Sequence, residues 1–284
     1  MYIRIVTKSS SKFILFLLAG LFFTAHAEVY HWQDEKGRHL YSDRPLPGAE
    51  RLAIRPGFSY RLVRYVYDGD TVTLQGGERI RLLGINTPEV ESSKRRGEPG
   101  GEAARRWLKK AVEGKKVRLE TGVPPRDKYG RLLAHLFSED GKHINLALVE
   151  QGLAIANIYP PELKYVEPLL QAQQRAEEAG RGIWGDPHYT PKPITDLLHG
   201  KMRGWHRFHG TPKRIKRSRR YVRLLFSDRI DVRIPKANLA LFPDLQNYLG
   251  QVIEVRGWAS RRKGHYSILV RHPSALVEVG GSEK

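Results

Sequence analysis

Between residues 58 and 137 the chain offers five short β-prone segments, 58–67, 71–75, 78–85, 116–120 and 131–137. The run is broken once, after the third segment, by the amphipathic stretch GEAARRWLKKAV, with Ala104, Trp107, Leu108 and Ala111 at helical spacing. Five strands with one helix between the third and fourth is the order of an OB-type barrel. Two further helical patterns follow. INLALVEQG stops at Gly152, a natural C-terminal cap, and PELKYVEPLLQAQQRAEEAG opens near Pro161 and stops at Gly180, with a kink or restart expected at Pro168. The expected class is therefore α+β, mainly β: a five-stranded OB-type barrel with three helices.

What flanks this block divides the rest of the chain. Residues 188–284 open with the loop-like HYTPKP and then offer strands at 203–209, 219–226, 229–234, 251–258 and 265–271, which predicts a second, smaller OB-like β-barrel. Residues 1–27 read as a signal peptide. Arg4, Lys8 and Lys12 precede an apolar run of 11 residues, Phe13 to Phe23, and Ala25-His26-Ala27 offers a cleavage site. A spanning helix needs about 20 apolar residues, so contact with a membrane is expected only through this segment. Residues 28–57 combine a small module, VYHWQDEKGRHLYSDRP, with a linker over 46–57. The module's pattern resembles one that follows the signal peptides of exported Gram-negative proteins, which places the chain in the periplasm or outside the cell. No stable protein partner is indicated.

Charge is uneven along the chain. The net charge is +19, and +13 of it lies in residues 188–284. Such an excess calls for a polyanion, or else forms a solvated cationic surface. Within it, HRFHGTPKRIKRSRRYVRLLF sets Arg214, Lys216, Arg217, Arg219 and Arg220 among Trp205, Phe208 and Tyr221. Cations and aromatic faces together suit single-stranded nucleic acid, and the alternative is a solvated loop over a core of aromatics. His206 and His209 read as loop residues without a metal partner.

The first barrel carries the chemistry, in YDGDTVTLQGGERIRLLGINTPE, residues 67–89. Hydrolysis of a phosphodiester needs a cation, further positive donors and a base for the water proton. Asp70, Asn86 and the Thr87 carbonyl supply hard oxygens suited to one Ca²⁺. Arg81 supplies a planar fork for phosphate, and Glu89 lies just past Pro88. Taken singly each has an ordinary reading: Asp68-Gly69-Asp70 as a turn, Arg81 as a solvated strand residue, Asn86 to Glu89 as a loop start. A second cluster, Asp127-Lys128-Tyr129-Gly130-Arg131, is a hairpin turn on its own but adds a second arginine here.

Residues 58–187 resemble the staphylococcal nuclease family in collinear order. The matching features are Asp68-Gly69-Asp70-Thr71-Val72, Arg81-Leu82-Leu83, Thr87-Pro88-Glu89, Asp127-Lys128-Tyr129-Gly130-Arg131, the stretch from Ala147 to Ala154, and Gly182-Ile183-Trp184. The resemblance implies a Ca²⁺-dependent nuclease that cleaves DNA and RNA and leaves 3′-phosphates. It implies calcium on Asp70 and the Thr87 carbonyl, scissile phosphate on Arg81 and Arg131, and Glu89 as the base. It also implies Asp68 in support and Lys128, Tyr129 and Tyr159 beside the nucleotide. Asn86 stands where many members have a second calcium-binding aspartate, which predicts weaker metal affinity. Residues 188–284 resemble domains attached to exported members of the family, and deleting them is expected to weaken DNA retention and spare the chemistry. The competing readings are a catalytically decayed nucleic-acid-binding protein and a cationic envelope- or polysaccharide-binding protein.

Overall fold

The structure, a computed structural model, describes residues 29–33, 39–42, 44, 47–52, 59–93, 96–200, 202 and 204–279. The signal-peptide reading of 1–27 lies outside these residues. Among the described residues no helix is long and apolar enough to cross a membrane. The chain divides between residues 57 and 58 into two compact units.

The first unit is a three-stranded antiparallel sheet of β1 (Val29–Gln33), β2 (His39–Ser42) and β3 (Glu50–Leu52), ordered β2-β1-β3. Its third strand arises inside the stretch read as linker, where Glu50 faces His31 across the pair.

The second unit begins with a closed barrel. In chain order it contains β4 (Tyr60–Val66), β5 (Thr71–Leu74), β6 (Arg79–Leu82), β7 (Ile85–Asn86), α1 (Gly101–Val112), β8 (Lys116–Arg126), β9 (Leu132–Ser138), α2 (Ile144–Glu150), β10 (Ile155–Ala156) and α3 (Val166–Glu178). The barrel order is β4-β5-β6-β9-β8, with β6 and β9 parallel and the other ladders antiparallel. Alternation sends Val72 and Leu74, then Ile80 and Leu82, then Ala134 and Leu136 inward, and the helices cap this core with Leu108, Val112, Leu148 and Leu169. A register shift in β4 between Val63 and Tyr65 lets Val63 and Val66, three apart, both face the core. Pro168 does not kink a longer helix. Helix α3 starts at Val166, so Pro168 sits in its first turn, where a missing N–H leaves no bond unmade.

The rest of the unit contributes β11 (Lys192–Pro193), β12 (Trp205–Gly210), β13 (Arg214–Arg217), β14 (Tyr221–Ser227), β15 (Ile230–Pro235), β16 (Ile253–Arg262), β17 (His265–Leu269) and β18 (Leu276–Glu278). These form one eight-stranded sheet, β11-β12-β16-β17-β15-β14-β13, with β18 on β16, around a separate core that includes Phe208, Val222, Leu224, Val232 and Ile268. Taking β12, β14, β15, β16 and β17 as first to fifth, the neighbours are first–fourth, fourth–fifth, fifth–third in parallel and third–second. The first barrel has the same connectivity, closed by its first and second strands. In the second domain β13 takes the free side of β14 instead.

Helix α3 and the segment after it join the two β-domains. Arg256 on β16 forks onto Glu177 of α3 at 2.7 and 2.9 Å and reaches Glu254 at 2.6 Å, while Arg207 on β12 forks onto Glu254 at 2.7 and 2.8 Å. The Tyr189 hydroxyl donates to the Pro99 carbonyl at 2.7 Å, and Trp184 meets the buried Trp205 edge-on. Burial raises the Tyr189 phenol, and it stays protonated in this contact.

Candidate active site

The β4–β5 turn brings Asp70 beneath the segment that follows β7. Asp70 is 5% exposed, and its Oδ2 accepts the Thr87 amide at 3.0 Å and pairs with the Arg81 guanidinium. Its Oδ1 accepts the Thr71 hydroxyl at 3.2 Å. This approach requires glycine at 69, because a Cβ there would lie 2.7 Å from both Thr87 Oγ1 and Ala104 Cβ. Asp68 accepts the Asp70 amide at 3.0 Å. Burial, and then the Asp70 charge, push its carboxyl up to about 7.

Arg81 projects from β6, opposite Thr71. Its second guanidinium nitrogen donates to Asn86 Oδ1 at 2.9 Å, and the Asn86 amide donates in turn to the Thr87 carbonyl at 2.9 Å. The oxygens of Asp70 and Asn86 thus already converge on one cationic group, with the Thr87 carbonyl one bond away. One carboxylate with neutral oxygens and no nitrogen or sulfur is a donor set for a hard divalent cation. Among the described residues no three His, Cys, Asp or Glu side chains come together to hold a metal.

Arg131 enters from the other side, at the start of β9. The Asp127 carboxylate grips it through Nε and Nη2, both at 2.8 Å, and its Nη1 lies 3.4 Å from the Thr71 hydroxyl that donates to Asp70. Arg131 and two amides hold Asp127 below the usual carboxylate range although burial alone would raise it. The chain Arg131–Thr71–Asp70–Arg81–Asn86 is continuous, so two guanidinium groups share one buried carboxylate region.

Glu89 is fixed through its backbone. Its amide donates to Glu98 Oε2 at 3.0 Å and its carbonyl accepts the Glu98 amide at 2.8 Å. Helix α1 starts so close to it that a Cβ on Gly101 would fall 2.3 Å from the Glu89 carbonyl oxygen. Half-buried, Glu89 lines a groove of about 1350 Å³ with Glu98 and Glu102, and, from beyond the barrel, His188, Lys192 and Trp258. Lys128 and Tyr129 lie on the exposed turn before Arg131, with the lysine 4.9 Å from the ring and the Arg131 guanidinium 5.7 Å from it. Tyr129 borders a second cleft of about 420 Å³ that includes Arg79, Arg126 and Arg131. Tyr159 is 46% exposed and does not join that group; its ring lies beneath Arg271 of the second domain.

In the basic domain Arg214, Lys216 and Arg217 lie on β13, an edge strand, and Arg219 and Arg220 in the turn after it, all exposed. Two of the aromatic residues grouped with them are not available for stacking. Phe208 is fully buried in the second core and Trp205 is 7% exposed against the first domain, so only Tyr221 keeps an accessible ring. His206 is not a loop residue; it sits buried on β12, 4.9 Å from the His188 ring. Sequence reasoning missed Trp258, which is 40% exposed on β16, and Arg271; a lone Trp among arginines in RGWASRR carried no periodic signal.

Comparison with known proteins gives the following. Residues 79–186 match the family of staphylococcal nuclease homologues, and residues 14–57 match a domain of unknown function, DUF4124. The thermonuclease of Staphylococcus intermedius is 41% identical over 131 residues, covering 45% of this chain and 77% of that protein. The thermonuclease of Staphylococcus hyicus is 35% identical over 132 residues, 45% of this chain and 76% of that protein. Endonuclease YncB of Bacillus subtilis is 35% identical over 128 residues, 43% of this chain and 60% of that protein.

Proposed function

This chain belongs to the staphylococcal nuclease family, and from that premise we propose that it hydrolyses phosphodiester bonds of DNA and RNA, leaving 3′-phosphates. The observation that carries the reading is the hydrogen-bonded chain in which Asp70 and Thr71 link the guanidinium groups of Arg81 and Arg131. Two forks presented together match the non-bridging oxygens of one phosphate.

Asp70, Asn86 and the Thr87 carbonyl would hold one Ca²⁺, which when bound supplies positive charge against the phosphate and orients water. Arg81 and Arg131 bind the phosphate and oppose the charge that builds as phosphorus becomes five-coordinate. Glu89 accepts a proton from the attacking water. As the new P–O bond forms, the bond to the 5′ oxygen breaks, and that oxygen leaves with a proton from solvent. Asp127 keeps the Arg131 fork oriented. The exposed cations Arg214, Lys216, Arg217, Arg219 and Arg220 contribute salt-sensitive attraction to the polynucleotide backbone.

Incubating plasmid DNA and RNA with the protein in Ca²⁺ and in chelator tests this reading. Cleavage that stops in chelator, with 3′-phosphate ends, is the expected result; intact substrates in saturating Ca²⁺ with retained binding would leave a binding protein only. The signal-like residues 1–27 extend the reading to an exported enzyme. Terminal sequencing of protein recovered from the periplasm or medium is expected to start at Glu28.

A further inference from the structure

The second β-domain reaches back onto the nuclease barrel at one exposed aromatic. The Arg271 guanidinium lies 4.5 Å from the centre of the Tyr159 ring. Tyr159 follows β10, which pairs with β7 in the register Ile155↔Asn86, so the tyrosine is three residues past a strand that runs beside the cation-site asparagine. The Asn157 amide, donating to the Gly84 carbonyl at 2.8 Å, holds this segment to the barrel. On the other side Asn238 donates to the Arg271 carbonyl at 2.8 Å and fixes the backbone that presents the arginine. Arg271 forms no ion pair with a carboxylate among the described residues; the Tyr159 ring is what its guanidinium meets.

Trp258 lies between this contact and Glu89. It faces the buried Trp205 across the β12–β16 pair, lines the groove that holds Glu89, and lines the small cavity shared by Asn157 and Arg271. Beyond it, along the outer face of the same sheet, comes Arg233, whose guanidinium meets the Tyr221 ring at 5.7 Å and Ser260 at 3.5 Å, again with no carboxylate among the described residues. The acids on this face are taken up within it: Asp231, 1% exposed, by Arg223, Ser267 and His265, and Glu254, 5% exposed, by Arg207 and Arg256. The outcome is a strip of guanidinium groups without carboxylate partners, set among the exposed rings of Tyr159 and Trp258 and the half-buried Tyr221, that starts beside the cation-site strand and ends at β14. Cations along a backbone path with aromatic faces between them recognise unstacked bases, and a duplex hides those faces.

We propose that the substrate groove is composite: Arg271 and Trp258 of the second domain bind the single-stranded stretch of substrate next to the scissile phosphate, Arg271 with Tyr159 clasping one nucleotide and Trp258 stacking on another. This rests on the nuclease reading and adds the substrate form, a single strand several nucleotides long, and two positioning residues outside the barrel.

The test is fluorescence anisotropy of 5′-labelled (dT)12 and of a 12-base-pair duplex, in chelator, with wild-type protein, W258A, W258F, R271A and R271K. W258A and R271A are each expected to raise the Kd for (dT)12 about tenfold, W258F to recover most of that loss, R271K to recover part, and the duplex to respond less. In Ca²⁺ the same substitutions should raise KM for (dT)12 more than they lower kcat. Melting curves check folding, and if W258A does not fold, W258F and R271A carry the comparison. Wild-type Kd in both W258A and R271A overturns the proposal, and equal losses on single strand and duplex overturn its single-strand selectivity. Binding that depends on Trp258 without any cleavage in Ca²⁺ would sink the nuclease reading alone. Cleavage whose substrate binding ignores both residues would sink the composite groove alone.

Discussion

Arg81 and the buried Asp70 form an ion pair in which the carboxylate also holds the Thr87 amide, so the arginine, the turn and the proposed cation site share one oxygen. Arg81 and a metal ion therefore compete for the Asp70 and Asn86 oxygens. R81A is expected to lose turnover by about a hundredfold or more while binding Ca²⁺ at least as tightly as the wild type, by isothermal titration. D70N is expected to lose the calcium response altogether. R81K should resemble R81A in turnover, since an ammonium cannot reproduce the fork to Asp70 and Asn86.

Asn86 donates from its amide to the Thr87 carbonyl and accepts Arg81 on its oxygen. N86D replaces the donor with a second anionic oxygen beside Asp70. The calcium concentration for half-maximal cleavage should fall several-fold. An unchanged calcium titration would show that the missing charge does not set the affinity.

The Glu89 backbone is held by Glu98 and lies against Gly101, which makes an isosteric change of its carboxylate the appropriate test. E89Q is expected to lower kcat by about 10² to 10⁴ and to leave the Kd for (dT)12 within about twofold. Loss of binding in step with turnover would argue against Glu89 as a base.

Deletion of residues 188–284, judged from sequence to spare the chemistry, removes far more than a tether. Arg256 and Arg207 are half-buried against Glu177 and Glu254, and the cut leaves Glu177 without both. The truncated protein should melt well below the full chain and show lower cleavage, read by calorimetry and digestion. R256M, which strips one member from the network in the intact chain, should cost about 3–5 kcal/mol by urea unfolding.

His135 and His143 lie 3.1 Å apart through Nδ1 and Nε2, packed on Tyr165 and Phe137. Burial pushes both down to about 4, with the neighbouring histidine adding to the effect on His143. Glu120, Lys164 and Arg118 are the charged groups that face them. Unfolded histidines take up protons near pH 6.5, whereas the folded pair waits until about 4, so the unfolded state binds more protons in that window. Their contribution to stability is whole above pH 6.5 and is lost as pH falls toward 4. The urea midpoint should drop across that window, and H143F should flatten the drop.

The barrel was legible because short β-prone segments are set off by turns and the one intervening helix announces itself through Ala104, Trp107, Leu108 and Ala111. In the candidate site, residues picked by spacing together with resemblance, Asp70, Arg81, Asn86, Thr87 and Arg131, meet as one hydrogen-bonded group. The second domain was read less well, for reasons of burial. Alternation in β12 sends Trp205 and Arg207 to one face and His206 and Phe208 to the other; the partner barrel covers the first face and the core covers the second. From sequence, a strand covered on both sides looks like an aromatic, basic surface. Strand β13 was missed because Arg214, Lys216 and Arg217 resemble a loop, and a charged edge strand does not advertise itself by apolar period. Glu254 and Arg207 stand 47 positions apart, beyond any local pattern.

Glu177 has a consequence for how this protein can be taken apart or recombined. An isolated nuclease barrel cut from it would carry on α3 a carboxylate shaped to receive two arginines, beside an indole at Trp184 that expects another at Trp205. Chimeras that graft a different tail onto this barrel would inherit that imprint, and the swaps that work should be those whose new partner offers a pair of guanidinium groups to α3.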